Sequence, residues 1–294
     1  LAAYHATRLA LIPVLGVAAY LFIAKTFPDV RRRLWSYALL MLGSGLGLYY
    51  SFFFSPGRAG SRYDWPIDLW VAESNAFLSM LYSPHFILSF ALIIVSFHLL
   101  LEAFETRRVR YGILAGAAAL VLFQFHPFHV PVLYAVPGVF LTAAAVRRGL
   151  RRDMVLSYLL FLAVSSPSVI YHLLVLRDPM WRAIADNNAT STPNVFHVIF
   201  GFGLISVLWI FGYRIVRREG DRIGTLRAGF LLTWAMVQAA LVYVPFLFQR
   251  RMLEGLQFPL TLLAVPTAMA CWRWLMAKTA GGRTFRFGVA FLLA

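Results

Sequence analysis

Apolar stretches of about 20 residues, each long enough to cross the roughly 30 Å of hydrocarbon in a bilayer, recur along the chain between short polar segments. We therefore predict an all-α fold, a polytopic integral membrane helical bundle with about ten transmembrane segments. The predicted spans cover residues 2–24, 34–54, 84–104, 111–125, 128–146, 154–176, 195–215, 229–248 and 256–276, with a further span from residue 287.

The segment 111–125 has only 15 residues and is followed by Pro127. With 128–146 it forms either a short spanning pair or a re-entrant pair. No linker divides the chain, so residues 1–294 are predicted to be a single transmembrane domain. Because the chain starts at Leu1 rather than Met and stops inside an apolar run, we expect a fragment truncated at both ends.

Composition supports the membrane class. The chain is 61% hydrophobic and 13% charged, whereas a soluble domain carries about 25% charged residues. The net charge of +15 suggests a nucleic-acid binder. However, the basic residues form short clusters between apolar spans, the pattern that orients helices in a bilayer. Membrane lipids rather than nucleic acid are therefore the predicted partners. The single Cys271 excludes an internal disulfide framework.

The basic residues are sorted by side. Of the 27 Lys and Arg residues, 20 fall in loops on one side of the predicted spans and 7 on the other. The positive-inside rule makes the first side cytoplasmic and puts residue 1 outside. The preference for Arg over Lys is typical of a GC-rich bacterial genome, so we predict a multi-pass protein of the bacterial inner membrane.

Most histidines lie at the predicted outer side. The stretch His126-Pro127-Phe128-His129 joins two apolar segments there, and broken helices of this kind are tolerated where they line a cavity. Two histidines three residues apart are able to ligate a divalent metal or to hold a phosphate. A kinked structural turn explains the same pattern. No clear carboxylate partner is visible, so we assign no metal ligand and no cofactor, although a divalent metal stays open.

Two adjacent arginines, Arg250 and Arg251, lie on the outer side and depart from the charge rule. A lipid phosphate or pyrophosphate would hold them there through charge-assisted contacts. The alternatives are simple snorkelling of the side chains or pairing with Glu254. Gln249 belongs to the same motif.

The long outer loop, residues 55–83, contains several acidic residues. Glu73 is a candidate general base towards a sugar hydroxyl, and Asp64 and Asp68 are further candidates. A helix over Leu69 to Tyr82 is predicted to lie in the membrane interface. Ser and Asn near a helix start are common caps, so Asn75 either lines a site or caps this helix.

Three pieces of residues 65–260 carry a family resemblance: Glu73-Ser74-Asn75 followed by Pro84-His85-Phe86, the His126-Pro127 turn, and Phe248-Gln249-Arg250-Arg251 with Glu254-Gly255 and Pro259. In these pieces the chain resembles the bacterial multi-spanning membrane glycosyltransferases of the GT-C type, which use polyprenyl-phosphate-linked sugars. The resemblance implies a site on the extracytoplasmic face and a polyprenyl-phosphate-linked sugar as donor.

The same resemblance implies a catalytic acidic residue in the first extracytoplasmic loop. We expect this chain to begin after that loop, so the catalytic residue is not assigned. Arg250 and Arg251 are expected to hold the donor phosphate, so replacing both with Ala is predicted to abolish transfer without unfolding the protein. The full predicted substrate-binding set is Arg250, Arg251, Gln249, Glu254, His126, His129, His85 and Asn75.

Two other classes stay open. A transporter or flippase for an anionic lipid or solute would place its binding groups near the midplane, where Gln238 and His98 are the clear polar residues. An outward-facing acyltransferase or polysaccharide polymerase would use outer His and Arg residues equally well.

Overall fold

The computed structural model describes residues 1–53, 65–219 and 222–278, and this part of the chain is all-helical. Its thirteen α-helices are α1 (Ala2–Thr26), α2 (Val30–Leu42), α3 (Gly47–Phe53), α4 (Ala76–Tyr82), α5 (Pro84–Thr106), α6 (Arg110–Phe125), α7 (Val130–Val146), α8 (Arg152–Val175), α9 (Pro179–Asn187), α10 (Val195–Phe202), α11 (Ile205–Glu219), α12 (Arg222–Leu241) and α13 (Gln257–Lys278). Short 3₁₀ turns cover Ile67–Leu69, Ala72–Ser74, Pro127–His129 and Gln249–Leu253.

Five segments of the described residues are long and apolar enough to cross a membrane: Ala2–Thr26, Pro84–Thr106, Pro127–Val146, Arg152–Val175 and Gln249–Lys278. A sixth, Val195–Phe202 with Ile205–Arg218, is bent by 69° at its break and is either one broken span or a re-entrant loop. Arg110–Phe125 and Thr225–Leu241 are shorter apolar helices. The all-α, multi-helix class is therefore confirmed, whereas a set of ten spans is not found among these residues.

The predicted span 34–54 is wrong. The chain forms two short helices there, α2 and α3, because three glycines in five residues interrupt the run and each costs about 1 kcal/mol relative to Ala in a helix. Gly45 packs against the backbone of Gly201, and Gly47 packs against Asp68. Hydropathy alone does not detect such a break.

Three other predicted elements change. The span 229–248 ends early, at Leu241, and the span 195–215 is the bent pair described above. The interfacial helix expected over Leu69 to Tyr82 is confined to α4, after two 3₁₀ turns. The span from 287 lies outside the described residues.

The helix α6 crosses the bundle alongside α8. Gly112 near its start has no room for a side chain against Ser157. At its other end, the Phe123 carbonyl accepts a hydrogen bond from His172 Nε2 at 2.8 Å. Its 16 residues rise about 24 Å, so α6 runs between the two ends of α8 and does not turn back on itself.

Helix direction sorts the polar residues to two ends of the bundle. The end that holds the starts of α5 and α7 and the ends of α6 and α8, named here the histidine end, contains His85, His126 and His172. At the opposite end, named the arginine end, Lys25 and Arg227 both lie 3.0 Å from the Glu102 carboxylate. Residues predicted to face opposite sides of a membrane thus lie at opposite ends of the helices.

An aromatic core lies beneath the histidine end. Trp234 of α12 packs edge-on against Phe97 of α5, with ring centroids 4.5 Å apart. Phe258 of α13 stacks on Trp234 and contacts Phe22 of α1. Aromatic pairs of this geometry are worth about 0.5–1.5 kcal/mol each beyond area burial, and they hold the start of α13 against α5.

Candidate functional site

The turn between α6 and α7 positions two histidines. Since Pro127 has no backbone N–H and cannot continue α6, the chain forms the 3₁₀ turn Pro127–His129 before α7 begins. This turn buries His126, which is 6% exposed, and His129, which is fully buried. Both imidazoles are therefore held inside the protein rather than at a lipid or solvent surface.

A second irregular segment brings a carboxylate to them. The turn Gln249–Leu253 is followed by Gly255, whose φ of +87° lies in the left-handed region that favours glycine. This backbone turn directs Glu254 into the bundle, where it is 1% exposed.

The three side chains form a cluster that we name the His–His–Glu cluster: His126, His129 and Glu254. His129 Nε2 lies 2.8 Å from Glu254 Oε2, and His126 Nδ1 lies 3.4 Å from the same oxygen. Ser89 of α5 donates its hydroxyl to the other carboxylate oxygen, Oε1. Glu254 is thus surrounded by groups from α5, the α6–α7 turn and its own segment.

Gln238 of α12 fixes the backbone of this segment. Its amide nitrogen donates to the carbonyls of Met252 at 2.6 Å and Glu254 at 2.7 Å. Its amide oxygen accepts from Trp234 Nε1 at 2.5 Å. Because both the amide nitrogen and the amide oxygen of Gln238 are hydrogen-bonded to protein groups, these contacts indicate a structural role rather than a transport site.

Arg251 lies next to the cluster and pairs with Glu73. Its Nη1 is 2.6 Å from Glu73 Oε1, and Glu73 is only 3% exposed. The guanidinium also lies over the rings of Phe86 and Phe128, 5.9 Å from each centroid. The structure therefore joins two motifs that are 178 residues apart, and Arg251 pairs with Glu73 rather than with Glu254, the alternative partner expected from the sequence.

Arg250 has a different environment. Its guanidinium carbon lies 5.0 Å from the centroid of Trp70, a cation–π contact. Adjacent residues in the turn therefore point to different neighbours, and only Arg251 lines the cavity described next.

A cavity of about 790 Å³ opens beside Arg251 at the histidine end. Its walls come from the α6–α7 turn, the end of α8, α9 and residues 247–248, and they are largely apolar. Arg182, Asp186 and His172 add polar groups to the lining. A mainly apolar cavity with a few convergent polar groups is typical of a small-molecule site.

The other predicted site residues have mainly local partners. His85 is exposed, its Nδ1 lies 2.6 Å from Ser83 Oγ, and its ring is 5.1 Å from that of His126. The Asn75 side chain accepts a hydrogen bond from the Leu78 N–H at 2.8 Å, so Asn75 caps α4. The Gln249 oxygen accepts from the Thr192 N–H at 3.2 Å and its nitrogen donates to a backbone carbonyl.

Asp68 does not face the cluster. It is buried against α3, where the Gly47 N–H donates to its Oδ2 at 2.9 Å. Burial raises the pKa of the Asp68 carboxyl to about 6, against an opposing effect of the Gly47 hydrogen bond. Asp64 lies outside the described residues. Among the three acidic candidates, the structure therefore brings Glu73 to the site and gives Asp68 a different neighbourhood.

Sequence reasoning missed Ser89 and Gln257. Gln257 accepts from the Ala76 N–H at 2.8 Å and donates to the Gly43 carbonyl at 3.2 Å, which ties α13 to α4 and to the end of α2. Both are polar residues within apolar runs, and that is the only signal the sequence offers, since their partners are distant along the chain.

Comparisons with protein-family models, with curated proteins and with solved structures found no match to this chain. Its function is therefore inferred from the geometry of the site.

Proposed function

We propose that this protein is a membrane glycosyltransferase that moves a sugar from a polyprenyl-phosphate donor to an acceptor at the histidine end. The observation that carries the proposal is the apolar cavity of about 790 Å³ with Arg251 in its wall. A polyprenyl phosphate combines a long apolar chain with an anionic head, and this cavity offers a complementary surface to each part.

The donor is bound by its two chemically distinct halves. Side chains such as Leu173, Trp181 and Phe248 contact the prenyl chain, and Arg251 and Arg182 approach the phosphate. Arginine suits this role because its planar guanidinium forms paired, charge-assisted hydrogen bonds to phosphate oxygens.

Donor binding changes the pairing of Glu73. The phosphate competes with Glu73 for the Arg251 guanidinium, because the two anions approach the same donors. With the phosphate bound, the ion pair between Arg251 and Glu73 is weaker, and the Glu73 carboxylate is our candidate general base among the described residues. The acceptor hydroxyl attacks the anomeric carbon, its proton passes to the carboxylate, and the bond from the anomeric carbon to the phosphate oxygen breaks. The phosphate leaves with the electron pair, and Arg251 stabilises the charge that grows on it.

We further propose that the histidine end faces the extracytoplasmic side of a bacterial inner membrane. The support is the uneven distribution of Lys and Arg, 20 against 7, which favours a cytoplasmic arginine end. In a C271S background, N187C is expected to react with a membrane-impermeant maleimide added outside intact cells, and R147C only after permeabilisation. The opposite pattern would contradict this orientation.

The reaction is tested with the full chain in lipid vesicles that contain a radiolabelled polyprenyl-phosphate sugar. Wild type is expected to transfer label covalently to an acceptor fraction. R251K keeps the positive charge but loses the planar guanidinium with its paired N–H groups, so we expect sugar transfer to fall by roughly tenfold or more. R177K makes the same change at an exposed arginine that does not line the cavity, and should transfer normally.

Three results separate the function classes. Label that crosses the bilayer without a covalent change indicates a transporter and contradicts the proposal. No transfer by wild type with any acceptor fraction contradicts it as well. Equal transfer by R251K and R177K removes Arg251 from the donor site.

A further inference from the structure

We propose that the His–His–Glu cluster binds a single divalent transition-metal ion, with zinc as the best match. The ligand atoms of His126, His129 and Glu254 all lie within 4.8 Å of one another. This inference goes beyond the proposed transfer reaction and does not depend on it.

The distance between His126 and Glu254 fits a shared metal ion better than it fits a hydrogen bond. A tetrahedral zinc with ligands at about 2.1 Å separates its ligand atoms by roughly 3.4 Å. His126 Nδ1 is 3.4 Å from Glu254 Oε2, which is longer than a normal hydrogen bond. Among the described residues this nitrogen has no hydrogen-bond partner, so it is directed at the carboxylate without forming a normal hydrogen bond to it. His129 Nε2 is closer, at the hydrogen-bond distance of 2.8 Å, and has to move away from the carboxylate by about 0.6 Å to admit the ion.

The donor set selects the kind of metal. Two imidazoles and one carboxylate form a His₂Glu set, which zinc uses together with a fourth, exchangeable ligand. Magnesium and calcium prefer oxygen ligands, and a soft ion such as Cu(I) prefers thiolate or thioether. The single cysteine, Cys271, lies well along α13 from this site.

The surroundings of the cluster hold the ligands in place. Ser89 donates to the second oxygen of Glu254, the kind of outer contact that orients a ligating carboxylate. Gln238 fixes the backbone of the same residue from the other side. His85 is exposed and its ring lies 5.1 Å from that of His126, so an imidazole at the surface stands next to the buried cluster.

The position of the cluster gives the ion a structural consequence. Glu254 follows Arg251 by three residues, and both histidines belong to the turn that carries Phe128. A bound metal would therefore lock the two segments that form one wall of the cavity.

The test uses the full chain, purified in detergent through a tag without histidines and stripped with a chelator. It is then equilibrated with Zn²⁺ alone and freed of excess metal. Elemental analysis is expected to find one zinc per chain in wild type. E254Q keeps the size and the hydrogen-bond acceptor of the side chain, and H129N removes one imidazole. Each is expected to lose roughly tenfold or more in zinc affinity. H98N changes a histidine outside the cluster and should retain one zinc.

A second readout covers the case in which a variant fails to fold. Co²⁺ added to stripped wild type is expected to give the intense visible absorption of a tetrahedral site, saturating at one equivalent and removed by Zn²⁺. Absence of that band, less than stoichiometric zinc in wild type, or full zinc binding by folded E254Q would overturn the proposal. The cluster would then be a hydrogen-bonded network only. None of these readouts depends on sugar transfer, so failure of either proposal is recognised separately.

Discussion

Arg227 provides the strongest stability prediction, because it is a fully buried cation near the start of α12. Its Nη2 lies 2.6 Å from the Glu105 carboxylate and 3.0 Å from that of Glu102, and its guanidinium lies over Phe22. Glu102 has a second cation, Lys25. The R227M substitution introduces an apolar side chain of similar length and leaves Glu105 without a cation among the described contacts.

The expected loss follows from burial. Removing one partner of a buried ion pair costs about 3–5 kcal/mol, because the remaining charge is desolvated and uncompensated. K25M affects the same network, but the Lys25 side chain is 57% exposed, and screened pairs of this kind contribute about 0–1 kcal/mol. The double variant R227M/E105Q removes both charges and should recover much of the loss.

The assay is reversible unfolding of the purified protein in mixed micelles with increasing SDS, which gives the free energy of unfolding for each variant. R227M should be the least stable, with K25M close to wild type and R227M/E105Q between them. A cost below about 1 kcal/mol for R227M, or equal costs for R227M and K25M, would refute the reasoning.

Two smaller effects follow from the same structure. The raised pKa of Asp68, about 6 against 3.8, means that the folded state binds the proton more tightly, so the contribution of Asp68 to stability is complete below pH 3.8 and is lost as pH rises through about 6. The total contribution is on the order of 3 kcal/mol. The free energy of unfolding, measured from pH 4 to 7, should therefore fall with pH in wild type, and D68N should flatten this slope. An unchanged slope in D68N would exclude Asp68 as its source. G255A forces a side chain into the left-handed region and against Ile93, so we expect a loss of about 1–2 kcal/mol. The matched change G149A meets only an ordinary van der Waals contact, 3.7 Å from the Ala144 carbonyl oxygen, and should cost less. Equal losses would contradict the assigned turn.

Local sequence signals predicted the helical elements well. Apolar runs of sufficient length gave the helices that became α1, α5, α7, α8 and α13, and Pro84 and Pro127 marked a helix start and a helix break. Gly43, Gly45 and Gly47 divide the apolar run into α2 and α3, which the predicted span 34–54 missed because hydropathy averages over such a break. Helix lengths and breaks are thus encoded locally for these five helices, whereas the bend between α10 and α11 and the end of α12 at Leu241 were not predicted.

The contacts of the site are not encoded locally. Glu254 meets His129 across 125 residues and Arg251 meets Glu73 across 178. The choice of partner depends on the backbone turn at Gly255 and on how α5, α7 and α13 pack. Residue types alone identified the arginines and histidines as candidates, but the missing carboxylate for the histidines became visible only in three dimensions.

The central claim is that the cavity beside Arg251 binds a polyprenyl phosphate. It is tested most directly with a polyprenyl phosphate that carries a photoactivatable diazirine in its chain, crosslinked to the full chain in vesicles and mapped by mass spectrometry. We predict labelled peptides around Phe128, Leu173 and Trp181, protected by unlabelled polyprenyl phosphate but not by the uncharged polyprenol. Labelling spread over all apolar helices, or equal protection by the polyprenol, would contradict the account.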